Sequence, residues 1–206
     1  MTSIERMYAL YKAVMHVSRN SIPGDIVECG VWKGGSAMLM AMTLLARGDV
    51  RDIYLYDTFA GMSEPSEKDV DYMGKKALDF WWGVGKNSKW DSTIVSMEEV
   101  QRNIAAINYP SERLHYIKGK IEDMVPYSAP DKISVLHLDT DWYESTRHEL
   151  VHLYPRLTLN GILLIDDYGH FKGARQAVDE YFSASRTRMF LSRVDYTGRI
   201  GVKVVD

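Results

Sequence analysis

Four aspartates follow apolar runs in this 206-residue chain. "KISVLHLD" ends on Asp139, with Asp141 two residues later, and "GILLIDD" ends on Asp166 and Asp167. Adjacent bare carboxylates repel one another, and burial makes each harder to ionise unless a cation offsets the charge. Helix capping accounts for one Asp at each place, but not for an adjacent pair. If the two segments are neighbouring strands, Asp139, Asp166 and Asp167 converge on one point. Such an oxygen-only set suits a hard cation, Mg²⁺ or Mn²⁺. Asp141 either caps the following helix or orients an acceptor. Asp139 and, after it, His170 are the candidate general bases. His137 alternates with Leu136 and Leu138 within its strand, which reads as a satisfied core histidine rather than a ligand.

A second constellation lies earlier. "VECGVWKGGS" carries Gly30, Gly34 and Gly35, which allow a tight turn and close approach to a ligand. The spacing is neither the dinucleotide fingerprint nor a P-loop. Glu28, two residues before the turn, is a carboxylate on an otherwise apolar strand and requires a partner. Asp57 closes the strand "DIYLYDT", where an acidic residue in such folds holds a ribose diol.

These residues need elements to position them. "DIVECG", "DIYLYDT", "LHYIKG", "KISVLHLD" and "GILLIDD" read as strands. Helical patterns separate them: Ser36 to Ala46, "SMEEVQRNIAAIN" with a Ser96–Glu99 capping box, and Tyr143 to Tyr154. "GARQAVDEYFSA" is a further helix, and "RMFLSRVD" and "RIGVKVV" flank Tyr196-Thr197-Gly198 as a hairpin. The alternation predicts an α/β fold, a doubly wound and mostly parallel sheet with helices on both faces and an antiparallel hairpin strand at one edge. Residues 1–206 form a single domain, with an N-terminal helix in residues 1–21. Residues 62–91 break the pattern with charges and the aromatics Phe80, Trp81, Trp82 and Trp90, and read as a lid or an insertion.

Composition excludes several classes. A net charge of −3 provides no basic face for nucleic acid and no polybasic membrane patch. The longest apolar stretch, "SAMLMAMTLLA", is too short to span a bilayer, and no charged-then-apolar leader opens the chain. A single cysteine, Cys29, fits a reducing cytoplasm. The absence of a G-x-S-x-G motif argues against an α/β-hydrolase.

"VECGVWKGGS", "YDTFAGM", "YIKGKIEDMVP", "LHLDTDWYEST", "LYPRL" and "IDDYGHFKGARQAVDEYF", in this order from about Ile22 to Phe182, resemble the macrocin-type (TylF-like) sugar O-methyltransferases. The resemblance implies a class I methyltransferase fold, S-adenosylmethionine, a divalent metal such as Mg²⁺, and a small-molecule hydroxyl acceptor, typically on a deoxysugar of a natural product. Carried over by position, Glu28, Gly30, Trp32 and Ser36 would line the methionine end of the cofactor. Asp57 and Thr58 would meet the ribose side, and Gly119, Lys120, Ile121 and Glu122 would border the adenine. Asp139 would touch both cofactor and metal. Homo-oligomerisation stays open. The rival readings are a methyltransferase acting on a catechol-like or other small hydroxyl, and a non-catalytic adenosylmethionine-binding module that would not need the carboxylate set.

Overall fold

The computed structural model describes residues 2–81, 94–185, 187 and 189–205, with Phe80 described in its backbone only. Seven strands form one sheet: β1 (Asp25–Cys29), β2 (Ile53–Asp57), β3 (Leu114–Lys118), β4 (Ile133–Leu138), β5 (Leu157–Ile165), β6 (Ser192–Arg193) and β7 (Arg199–Val202). Their spatial order is β3-β2-β1-β4-β5-β7-β6. The first five are parallel, while β7 runs antiparallel to β5 and β6 antiparallel to β7. The expected hairpin is therefore present, and its second strand is the one that joins the sheet. Its first strand is two residues long, and Val194 N–H closes the turn after it on the Gly198 carbonyl at 3.0 Å.

The helices are α1 (Ile4–Arg19), α2 (Gly35–Arg47), α3 (Ala77–Trp81), α4 (Met97–Ala105), α5 (Ile121–Met124), α6 (Tyr143–His152) and α7 (Lys172–Ala184). Among the described residues no helix is long and apolar enough to cross a membrane. Strand residues alternate between two cores. Ile26, Ile53, Leu55, Val135, Ile162 and Leu164 pack under α1, α2 and α4. Val27, Cys29, Tyr56, Leu136, Leu138, Leu163 and Ile165 face the opposite side, with α6 and α7 residues such as Leu150 and Val178. Burying each large aliphatic side chain is worth roughly 1.5–3 kcal/mol, which fixes the register of every central strand.

That register decides which polar residues meet. Glu28 pairs with His137 across β1 and β4, and Leu138 pairs with Ile165 across β4 and β5. Continuing the alternation, Glu28, His137 and Asp166 share the face covered by α1. Helix α1 is capped by Ser3, whose hydroxyl accepts from Arg6 N–H at 3.1 Å, and it buries Leu10, Ala13, Val14 and Val17 at helical spacing. Its first turn therefore lies over the carboxyl ends of the central strands.

The connection after β2 was legible only as a break in periodicity. Its described part is pinned by Asp69, which is 1% exposed. One Asp69 oxygen accepts the Tyr143 N–H at 2.8 Å and so caps α6, and the other accepts Ser66 N–H at 2.6 Å and Ser66 Oγ–H at 2.8 Å. Met62 packs with Ala77, Trp142, Phe171 and Ala174. Residues 82–93, which hold Trp82 and Trp90 of the expected lid, lie outside the described residues.

Candidate active site

Strand ends build the site. Backbone bonds continue past the sheet, from Gly30 N–H to Tyr56 O at 2.8 Å, Asp139 N–H to Cys29 O at 2.8 Å and Asp166 N–H to Leu138 O at 2.9 Å. They carry the carboxyl ends of β2, β1, β4 and β5 forward side by side, the place where ligands bind in doubly wound sheets. A cavity of about 490 Å³ opens there. Gly30, Trp32, Asp57, Thr58, Gly119, Lys120, Ile121 and Glu122 line one part of it. Asp139, Asp141, Asp166, Asp167 and His170 line another. Of the residues expected at the site from sequence, Glu28 and Ser36 are not among the lining residues.

Glu28 has a partner inside the protein. It is 1% exposed and meets His137 Nδ1 at 3.2 Å, while His137 Nε2 meets Asp166 Oδ1 at 3.1 Å. Burial alone would lower the histidine pKa, but Asp166 first and Glu28 second override it and hold the ring well above its ordinary value. One atom each of His137, Asp139 and Asp166 lie within 4.8 Å of one another, a spacing that a metal could use. Both ring nitrogens of His137 already face carboxylates, so it is a buried and partnered histidine, as its strand pattern predicts.

Asp166 is also held from the other side. Arg6 Nη1 donates to Asp166 Oδ2 at 2.7 Å, and Arg6 Nε lies 3.1 Å from Asp195 Oδ2 in the hairpin turn. Burial would raise the Asp166 pKa, yet His137 and then Arg6 outweigh it and keep the carboxyl below the usual range. Its neighbours behave oppositely. Burial, then the charges of Asp166 and Asp167, push Asp139 well above the carboxylate range. Burial, then Asp141 and Asp166, do the same to Asp167. Asp141, with its backbone in the left-handed region at φ 68°, is pushed up to about 7 by burial and by Asp139. Among the described residues no hydrogen-bond partner reaches the buried Asp167 Oδ2. Crowded acids with an orphaned oxygen are the donor set a divalent cation would satisfy.

The glycine turn has its own logic. Gly30 has φ +86°, and a Cβ there would overlap the Asp139 carbonyl oxygen, so only glycine lets the two strand ends touch. Asp57 accepts from Val31 N–H at 2.7 Å and Trp32 N–H at 3.0 Å through one oxygen, and from Phe59 N–H at 2.7 Å through the other. Its carboxylate thus fastens the turn to the end of β2 as well as facing the cavity.

His170 is half-buried. Its Nδ1 meets the Tyr196 hydroxyl at 3.0 Å, and burial lowers its pKa. Sequence reasoning passed over Arg6, Tyr196 and Thr197, all of which line the cavity. The available signal for Arg6 was a basic residue in the first turn of an amphipathic helix, three residues after its Ser cap. Tyr196 and Thr197 gave no signal beyond their turn.

Residues 1–201 match the model of the family "Macrocin-O-methyltransferase (TylF)", a longer span than the motifs alone delimit. The chain is similar to the demethyldecarbamoylnovobiocin O-methyltransferase of Streptomyces niveus, 36% identical over 183 residues, or 88% of this chain and 66% of that protein. It is also similar to the 8-demethyl-8-(2,3-dimethoxy-alpha-L-rhamnosyl)-tetracenomycin-C 4'-O-methyltransferase of Streptomyces olivaceus, 32% identical over 96% of this chain and 73% of that one. The chain therefore spans about two thirds to three quarters of the length of these relatives. Among solved structures it resembles the O-methyltransferase NovP, with a TM-score of 0.85 and 31% identity over 98% of this chain and 81% of that chain. The chain belongs to the TylF family of macrocin O-methyltransferases and has the class I methyltransferase fold.

Proposed function

We propose that this protein is an S-adenosylmethionine-dependent O-methyltransferase that uses a divalent cation and acts on a sugar hydroxyl of a glycosylated natural product. The observation that carries the reading is one cavity with glycine-turn and acidic halves, in which Asp167 Oδ2 is buried with no hydrogen-bond partner among the described residues. The rhamnosyl group in the name of the Streptomyces olivaceus relative supports a sugar hydroxyl as the acceptor. Gly30, Trp32, Asp57 and Thr58 would hold the methionine and ribose portions, and residues 119–122 the adenine. Asp139, Asp166 and Asp167 would hold Mg²⁺ or Mn²⁺. When bound, the sulfonium supplies an electrophilic methyl and the cation lowers the pKa of a coordinated hydroxyl.

The chain's own residues do the rest. Asp166 enters the site already charged, since His137 and Arg6 stabilise its ionised form. Asp139 and Asp141 flank the acidic cluster, and His170 faces the same cavity with its Nδ1 engaged by Tyr196. The proton from the acceptor hydroxyl goes to one of these carboxylates, with His170 as the second candidate. Asp141 joins Asp139 here because it lines the cavity, a position its sequence context left open. Walls from α1 and the hairpin turn narrow access of water on one side.

The test incubates the protein with methyl-labelled adenosylmethionine, Mg²⁺ and a panel of glycosides, free sugars and catechols. Label on a glycoside hydroxyl, lost with EDTA and restored by Mg²⁺, is the expected result. Transfer that ignores EDTA overturns the metal assignment. Label on catechols alone overturns the sugar assignment, and tight adenosylmethionine binding with no transfer to any acceptor overturns the enzymatic reading.

A further inference from the structure

Three aromatic rings meet at the His170 side of the cavity, and none has a role in the chemistry just described beyond His170 itself. Tyr72 comes from the connection after β2, His170 from the loop after β5, and Tyr196 from the hairpin turn. Ring centroids are 5.4 Å apart for Tyr72 and His170, 6.0 Å for His170 and Tyr196, and 6.2 Å for Tyr72 and Tyr196. The two tyrosines are 57% and 54% exposed. Tyr196 lines the cavity, Tyr72 packs against Tyr196, and both rings leave apolar area that a ligand could cover.

The backbone beneath each ring is fixed. Asp71 bridges to Phe171, and its carboxylate accepts Met73 N–H at 2.8 Å and Lys75 N–H at 2.9 Å, which holds the turn that presents Tyr72. Gly169 donates to Thr197 O at 2.9 Å, and a Cβ at Gly169 would overlap the Tyr196 carbonyl oxygen. Asp195 accepts Thr197 N–H at 3.0 Å and Gly198 N–H at 2.6 Å, which sets the turn that presents Tyr196. Three chain segments thus hold the rings in place without any ligand. Such preorganisation lowers the entropy cost of binding a flat partner.

We propose that Tyr72, His170 and Tyr196 form an aromatic subsite for the planar, apolar aglycone of a glycosylated acceptor. The inference rests on the methyl-transfer reading for the identity of that acceptor. A cavity of about 490 Å³ is of the size that encloses a single small ligand. His170 and Tyr196 line the cavity at its acidic end, so the group attached to a sugar held there lies beside these rings. Aromatic faces take flat apolar surfaces by stacking, and the phenolic hydroxyls and imidazole can meet polar edge groups. The acidic end selects a hydroxyl, whereas this subsite selects what the sugar is attached to.

The experiment compares two probes by calorimetric titration into the full chain with Mg²⁺: methylumbelliferyl α-L-rhamnopyranoside, which carries a planar aglycone, and methyl α-L-rhamnopyranoside, which does not. Wild-type protein should prefer the umbelliferyl glycoside by about tenfold, equivalent to ~1.4 kcal/mol. Tyr72→Ala should bring the ratio of the two affinities close to one, and Tyr72→Phe should keep it, because the ring and not the hydroxyl does the stacking. Tyr196→Ala should act like Tyr72→Ala, and circular dichroism reports whether either variant is folded. An unchanged ratio in folded Tyr72→Ala, or no preference in the wild type, overturns the subsite. Preferential binding of the umbelliferyl probe without methyl transfer to any glycoside keeps the subsite and overturns the enzymatic reading instead.

Discussion

Replacing Arg6 by Met keeps the length of the stem and removes the charge that lies between Asp166 and Asp195. The two carboxylates do not lose equally. Asp195 keeps the Ser3 hydroxyl at 2.7 Å and the Thr197 and Gly198 amides. Asp166 loses its 2.7 Å partner on Oδ2 and keeps only His137 at 3.1 Å on Oδ1. The side chains of Arg6 and Asp166 are 15% and 6% exposed, so the pair is largely desolvated. Breaking a buried ion pair from one side costs ~3–5 kcal/mol. With His137 still opposing Asp166, the lower end applies, about 3 kcal/mol. At ~2–4 °C per kcal/mol for a chain of this size, Tm should fall by roughly 6–12 °C at pH 7 in EDTA. The pH dependence follows in sign. The Asp166 carboxyl is held below its ordinary value, so its contribution is present above the unfolded pKa of ~3.9 and is lost as pH falls through the folded value. The gap between wild type and Arg6→Met should therefore narrow below about pH 4. Differential scanning calorimetry from pH 3 to pH 8 reads both effects. A variant that melts within about 2 °C of wild type at pH 7 refutes the idea that α1 neutralises the site.

Further outcomes follow from the same geometry. Asp141 is raised to about 7 in the folded protein, so it favours folding most below ~3.9, and that contribution is lost as pH rises through about 7. Metal-free wild type should accordingly melt at lower temperature as pH rises over that window, by more than Asp141→Asn does. Asp57→Ala should lower Tm of the cofactor-free protein as well as adenosylmethionine affinity, because it unpairs the part-buried Val31 and Phe59 amides at up to ~1–3 kcal/mol each; a loss of affinity with unchanged Tm would assign Asp57 to the ribose alone. Glu149 is fully buried, accepts the Thr140 hydroxyl at 2.9 Å and is held well above its ordinary pKa by burial, so Glu149→Gln should change stability by less than ~1 kcal/mol at pH 7, as urea titration can check. Gly30→Ala should abolish cofactor binding and folding together, since its Cβ has no space beside Asp139, and soluble, cofactor-binding Gly30→Ala would contradict the close approach.

The sheet was largely legible because its strands announce themselves chemically. "KISVLHLD" and "GILLIDD" are buried on both faces, so their apolar runs are continuous, and the acids that end them mark where the sheet stops. Ser96 announced α4, and its hydroxyl does accept the Glu99 N–H at 3.2 Å. The expectation that β4 and β5 are neighbours holds, and with it Asp139, Asp141, Asp166 and Asp167 line one cavity. Contacts made across long stretches of sequence were not legible. Nothing in "SIERMYALYK" tells that Arg6 crosses to Asp166, 160 residues away. Asp69, in a stretch without periodicity, looks like any solvated loop acid until Tyr143 N–H is seen to need a cap. Glu28 was recognised as a carboxylate in need of a partner, but its partner His137 comes from the strand register, which only the folded sheet defines.

The joining of Ser3 and Arg6 to Asp195 also has a consequence for synthesis. Ser3 Oγ and Asp195 are bonded across 192 residues. A ribosome adding ~5–20 residues per second needs on the order of 10–40 s to travel that distance. The parallel strands β1 to β5 are complete once residue 165 has been added, late in that interval but before the hairpin turn. Their acidic ends, however, lack the turn that holds α1 in place. The contact between α1 and the hairpin turn can therefore form only after that turn has left the exit tunnel, later than the parallel strands are able to pair.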